Sequence, residues 1–133
     1  MAQYMLDTNM CIYLMKNQPE QVAMHFANCS VGDVVMSAIT YAELEYGVTV
    51  AANRTRERRN LNSLIKDIPV LSFDDEAAKA YGPIRATSGG RRKDQLDKLI
   101  AAHAIALNII LVTNNECDFH VCPGIKIENW IKD

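Results

Sequence analysis

The stretch Asp97-Lys98-Leu99-Ile100-Ala101-Ala102-His103-Ala104-Ile105-Ala106-Leu107-Asn108-Ile109-Ile110-Leu111-Val112 decides the fold. Its first part belongs to a helical pattern running from Asp94, in which Leu96, Leu99, Ile100, Ala104 and Leu107 recur on one apolar face. Asn108 closes that helix. Residues 109–112 then form an unbroken apolar run rich in β-branched side chains, as in a strand covered on both faces at the centre of a parallel sheet.

The same alternation extends upstream. Tyr4-Met5-Leu6 is a short apolar run that stops at Asp7-Thr8-Asn9, where Thr8 or Asn9 can cap a following helix. That helix carries Cys11, Ile12, Leu14 and Met15 and ends near Asn17-Gln18-Pro19, with Pro19 placed to open the next. Val34-Val35-Met36 reads as a second strand. The helix after it, with Ile39, Ala42, Leu44 and Tyr46, is expected to end at Gly47. Residues 51–67 read as a helix, basic at first and then apolar. Residues 69–73 are a third strand candidate, Asp74-Asp75-Glu76 opens a further helix, and Ser88-Gly89-Gly90 breaks it. A last strand is expected at 124–127, with Trp130 and Ile131 docking the tail. Strands alternating with helices point to an α/β sandwich around a mostly parallel sheet of four to five strands.

The chain has 133 residues, 49% of them hydrophobic and 23% charged, which suits one domain with a real core and excludes a disordered chain. The net charge of −2 does not announce a nucleic-acid binder, but phosphate contact depends on local clustering. Arg91-Arg92-Lys93 is one such cluster, which Arg85 can join, and the run from Arg54 to Arg59 is another. Met1-Ala2-Gln3-Tyr4 lacks the basic and long apolar parts of a secretory signal, and no apolar run is long enough for a membrane helix. Cys11, Cys29, Cys117 and Cys122 lack zinc-site spacing, so free thiols in a cytoplasmic protein are expected.

Four acids fall where ligands gather in such sheets, beyond the carboxyl ends of strands. Asp7 follows the first strand, Glu43 lies in the helix after the second, Asp97 opens the clearest helix, and Asp118 follows the 109–112 strand. Converging carboxylates repel unless a hard cation binds them. Each acid also has a plainer reading. Asp7 and Asp97 can serve helix starts, Glu43 a solvated helix face and Asp118 a polar loop. For His103, packing along its helix is the reading preferred over catalysis; for Tyr46, core packing is preferred over stacking on a base.

Met5-Leu6-Asp7-Thr8-Asn9, Thr40-Tyr41-Ala42-Glu43-Leu44-Glu45-Tyr46-Gly47, Asp97-Lys98-Leu99-Ile100-Ala101-Ala102-His103-Ala104 and Val112-Thr113-Asn114-Asn115 with Asp118-Phe119 resemble, in order, the motifs of the PIN domain. The whole chain, 1–133, resembles the VapC toxins of bacterial toxin–antitoxin pairs. The resemblance implies an αβα sandwich and a Mg²⁺-dependent endoribonuclease, with Mn²⁺ as a substitute. It matches Asp7, Glu43, Asp97 and Asp118 to the catalytic acids, with Asp7 and Asp97 as metal ligands and Thr8, Asn9, Thr113 and Asn114 as supporting polar residues. Arg91, Arg92 and Lys93 become candidates for RNA binding at the rim.

Two departures from the family pattern leave alternatives. Gly90-Arg91-Arg92-Lys93-Asp94 replaces the usual segment before the third acid, which makes Asp94 an extra acid. Asn115 stands where many relatives carry the fourth acid, leaving Asp118 and Glu116 as alternatives. The resemblance also implies a homodimer, a VapB-type antitoxin, assembly on operator DNA through that antitoxin, and initiator tRNA, cut in its anticodon loop, as the leading substrate. Ile12, Tyr13 and Met15, with Leu61 and Leu64, are candidates for the antitoxin groove. A PIN/FEN-like DNA nuclease and a non-catalytic nucleic-acid-binding module are the competing readings.

Overall fold

Neighbouring parallel strands cannot be joined by hairpins, so a chain that alternates short apolar strands with helices must cross over between them. The structure, a computed structural model, describes residues 2–87, 95–119 and 122–132, with Cys117 and Asp118 described by backbone alone. The chain runs β1 (Tyr4–Leu6), α1 (Thr8–Lys16), α2 (Glu20–Ala27), β2 (Val34–Ser37), α3 (Ala38–Val50), α4 (Arg54–Asp67) and β3 (Val70–Leu71). It continues through α5 (Asp75–Thr87), α6 (Gln95–Leu107), β4 (Ile110–Val112), α7 (Glu116–Phe119) and β5 (Ile127–Glu128). The five strands form one sheet in the order β3-β2-β1-β4-β5, and every pairing is parallel.

The pleat sorts side chains onto two faces. Leu6, Val34, Met36 and Val112 pack against Met10, Cys11, Val22, Leu44, Val48, Leu61 and Leu64, so α1 to α4 cover one side. Met5, Val35 and Leu111 face the other way, toward Ile84 of α5, the small-residue face of α6 and Phe119 of α7. The expected αβα sandwich is present. Trp130 closes the first core with its indole edge-on to Tyr4 at 5.5 Å and stacked on His25 at 5.4 Å, while Nε1 donates to Glu128 at 2.8 Å.

Several boundaries differ from expectation. Asp7, not Thr8 or Asn9, caps α1. The helix of Glu43 passes through Gly47 to Val50, because Gly47 keeps a helical backbone and buried Leu44 and Val48 hold the turns on either side. On α6 the buried residues are Ile100, Ala101, Ala102, His103 and Ala104, whereas Leu96 and Leu107 are exposed. Alanines let α6 sit close to both the sheet and α5, so small size outweighs hydrophobicity there. The stretch after β4, where a polar loop is one expectation, contains α7, and the last strand forms at Ile127–Glu128. Among the described residues, Leu61 is a core residue that lines no groove, Leu64 is a core residue that also floors a pocket beside Met15 between α1, α2 and α4, and Tyr46 is 69% exposed and not packed. Cys11, Cys29 and Cys122 are free thiols, and no helix among the described residues is long and apolar enough to cross a membrane. The break at Ser88-Gly89-Gly90, the cluster Arg91, Arg92 and Lys93, and Asp94 lie outside the described residues.

Candidate active site

With β2 and β3 on one side of β1 and β4 and β5 on the other, the strand order reverses at β1, and a crevice lies beyond its carboxyl end. Asp7 is the first residue past β1. Its backbone N–H donates to Val112 O at 3.1 Å, tying it to β4, and its Oδ1 accepts the Met10 N–H at 2.9 Å. The carboxylate therefore sits at the positive end of α1. The Thr113 hydroxyl also donates to it, while Thr113 Oγ1 accepts the Asn115 N–H at 2.9 Å. Both residues are buried, Asp7 at 4% and Thr113 at 0% exposure. Burial pushes the Asp7 carboxyl above the ordinary Asp range, and the negative charge of Glu43 adds to the rise. Hydrogen bonds from Thr113, Met10 and Asn9 oppose it.

Glu43 comes from the second turn of α3 and is half-buried. Its Oε1 accepts the Thr8 hydroxyl at 2.5 Å, so the residue after Asp7 aims the next acid. Thr40, one turn earlier on α3, is fully buried, and its Oγ1 has no hydrogen-bond partner among the described residues. Asp97 lies in the first turn of α6, half-buried, on the same helical face as Ile100, Ala101 and Ala104. Because α6 feeds directly into β4, its first turn lies at the carboxyl end of the sheet, where Asp7 also lies.

Asp7 and Glu43 are thus electrostatically coupled. Among the described residues, though, no group of three or more His, Cys, Asp or Glu closes to a shared ligation point. Asp118 lies in α7 by its backbone. The donors around Asp7 are carboxylate and hydroxyl oxygens, a set that fits a hard divalent cation rather than a thiolate- or imidazole-seeking metal.

The rim is built by the tail. Glu116 pairs with Lys132 at 2.6 Å and accepts from Asn129 Nδ2 at 3.2 Å; the same amide donates to Asn114 Oδ1 at 3.0 Å. Lys132 first and Asn129 second hold the Glu116 carboxyl below its ordinary range. Nothing in the local sequence marked Asn129 or Lys132 for this role; only the parallel docking of β5 beside β4 brings them there.

The basic run from Arg54 to Arg59 is divided. Arg58 makes a two-pronged pair with Glu45 of α3 at 2.8 and 2.6 Å, and Glu45 is held down to about 2, chiefly by that hydrogen bonding. Arg56 instead borders a groove of about 370 Å³ that opens at Glu43 between α1, α3 and α4, lined also by Ile12, Met15, Leu44, Gly47 and Val48. Two of the expected groove residues are therefore at the groove. His103 is buried on α6, as the packing reading held.

The PIN domain family model matches residues 4–120. A tRNA(fMet)-specific endonuclease VapC of Salmonella typhimurium is 37% identical over 132 residues, spanning 98% of this chain and 99% of that protein. Ribonuclease VapC2 of Rickettsia felis is 33% identical, spanning 97% and 98%. Among solved structures, DNA-bound VapBC from Salmonella typhimurium superimposes with a TM-score of 0.89 at 37% identity, covering 98% of this chain and 99% of that one. VapBC2 from Rickettsia felis, bound to a promoter DNA fragment, gives 0.83 at 32% identity, covering 96% and 98%.

Proposed function

The chain belongs to the PIN-domain family, among its VapC ribonucleases, and from that premise we propose that it is a Mg²⁺-dependent endoribonuclease toxin that hydrolyses RNA phosphodiester bonds. The observation that carries the reading is the buried Asp7 carboxylate at the switch point, coupled to Glu43. A carboxylate held in that position at a cost to its own charge is poised to gain from a cation.

A hard divalent cation, Mg²⁺ or Mn²⁺, supplies Lewis-acid polarisation of the phosphate and a water of lowered pKa. The chain supplies placement. Met10 N–H and the Thr113 hydroxyl fix the Asp7 rotamer, and the Thr8 hydroxyl fixes Glu43. Asp97, in the first turn of α6, is the third acid, and Asp118 is the fourth. Asn9 and Asn114 border the crevice. Arg91, Arg92 and Lys93, just before α6, take the phosphates that flank the cleaved bond. Attack by water leaves a 5′-phosphate and a 3′-hydroxyl and does not use the ribose 2′-OH. The name of the relative from Salmonella typhimurium, a tRNA(fMet)-specific endonuclease, supports initiator tRNA as the leading substrate, and cleavage of that tRNA in the cytoplasm would stop translation and growth.

The partner we infer is a VapB-type antitoxin, since the structural relatives are VapBC complexes, two of them with DNA. Its apolar segment fits the groove of Ile12 and Met15, and a basic side chain reaching Glu43 and Asp7 would pair with the carboxylates in place of the cation. A homodimer assembled on operator DNA through the antitoxin completes the reading.

Cleavage of total RNA, and of duplex and flap DNA, by the purified protein with Mg²⁺, Mn²⁺ or EDTA is the test. We expect RNA cut with either ion, EDTA-sensitive, giving 5′-phosphate ends that map by sequencing to one tRNA. Cleavage of DNA alone would make the protein a DNA nuclease, and no cleavage under any condition would make it a binding module. Equal activity inside a stoichiometric antitoxin complex would overturn the inhibition model.

A further inference from the structure

Ser37 ends β2 and caps α3, its Oγ accepting the Ile39 N–H at 3.1 Å. The same oxygen lies 2.8 Å from Nδ1 of His103, 66 residues away on α6. Both side chains are buried, Ser37 at 0% and His103 at 2% exposure, and the edge of Phe73 meets the imidazole at 5.4 Å and 76°. With the Ile39 N–H already donating to it, the Ser37 hydroxyl still has a proton to place, and Nδ1 is the acceptor at hand. Burial holds His103 below the usual imidazole range, with Asp74 opposing, so the ring is neutral at pH 7. The network therefore assigns the proton to Nε2, with Ser37 O–H donating to Nδ1.

The position of this bond matters more than its strength. α3 carries Glu43 six residues beyond Ser37, and α6 carries Asp97 six residues before His103. The body of α3 packs on one face of the sheet and the body of α6 on the other. We propose that Ser37 and His103 form a buried latch across the carboxyl end of β2 that sets the separation of Glu43 and Asp97, making both positioning residues for the cation site. The latch rests on the ribonuclease reading above. It explains a buried polar pair within an otherwise apolar helix face, where Ala101, Ala102 and Ala104 surround His103 in sequence.

The test uses the full chain with Mn²⁺ alone and then with RNA. His103→Phe removes the acceptor at similar volume, Ser37→Ala removes the donor, and His103→Asn returns an acceptor close to the Nδ1 position. Calorimetry on folded, RNA-free protein should show Mn²⁺ affinity falling about 10- to 100-fold in the first two, as when support behind metal ligands is lost. The double variant should be no worse than either single one. kcat should fall with KM for RNA unchanged, and His103→Asn should restore both readouts. Wild-type Mn²⁺ affinity in folded His103→Phe, or a His103→Asn as impaired as the Phe variant, would overturn the latch. If the His103 variants do not fold, ¹⁵N NMR of the imidazole decides. An Nδ1 resonance shifted by a hydrogen bond that Ser37→Ala abolishes supports the latch, and an Nδ1 with no such bond sinks it. Failure of the wild type to bind Mn²⁺ or cut RNA would instead fault the functional reading.

Discussion

Replacing Asp7 by Asn and by Ala separates its chemistry from its structural work. Asn keeps an oxygen to cap α1 and to accept from Thr113, whereas Ala keeps neither. Losing the cap costs about 1 kcal/mol. Leaving the fully buried Thr113 hydroxyl without its acceptor costs about 1–3 kcal/mol more. Both variants remove the buried charge, so that contribution cancels between them, and Asp7→Ala should be less stable than Asp7→Asn by about 2–4 kcal/mol. At roughly 4 °C per kcal/mol for a chain of this size, the melting points should differ by about 8–16 °C. Against wild type the sign depends on pH. The folded-state pKa of Asp7 is raised above its ordinary value of 3.8, so its stability contribution is full below that value and is lost as pH rises through the folded pKa. Asp7→Asn should therefore melt at or above wild type at pH 7.5 in EDTA, with the advantage shrinking as pH falls toward 3.8. Added Mn²⁺ should raise the melting point of wild type but not of Asp7→Asn. Both variants should lose more than about 100-fold in cleavage, beyond what loss of a supporting residue costs. Calorimetric or circular-dichroism melts decide the matter. Coincident melting of the two variants, or an Asp7→Asn as unstable as Asp7→Ala, refutes the reasoning.

Trp130→Ala should cost about 3–5 kcal/mol in urea unfolding, because the ring is 1% exposed between Tyr4 and His25; Trp130→Phe should lose less than half of that. Glu116→Gln should leave cleavage near wild type, since Lys132 and Asn129 already occupy that carboxylate, whereas Asp118→Asn should lower it. The reverse order would make Glu116 the fourth acid. Neutralising Arg91, Arg92 and Lys93 together should weaken RNA binding and reduce the slope of log affinity against log salt by about 2. Mn²⁺ affinity should not fall in that variant, and an unchanged slope would assign the cluster to another role.

The amino-acid sequence by itself determined the layers, most of the element boundaries and the positions of the acids relative to strand ends. Those depend on properties local to the chain: the period of apolar residues, Asn in left-handed caps at Asn17 and Asn108, and a strand that stops where Asp7 begins. Where local signals competed, burial decided. Gly47 stayed helical between buried Leu44 and Val48, and alanines, not leucines, made the buried face of α6. The tertiary structure alone decided which side chains meet. Thr113 donates to Asp7, Thr8 aims Glu43, Ser37 meets His103, and Lys132 and Asn129 occupy Glu116. Each of these pairs joins residues that at least one strand separates along the chain, the last across β5. The strand order β3-β2-β1-β4-β5 brings them together at one end of the sheet, and periodicity along a chain carries no record of that order.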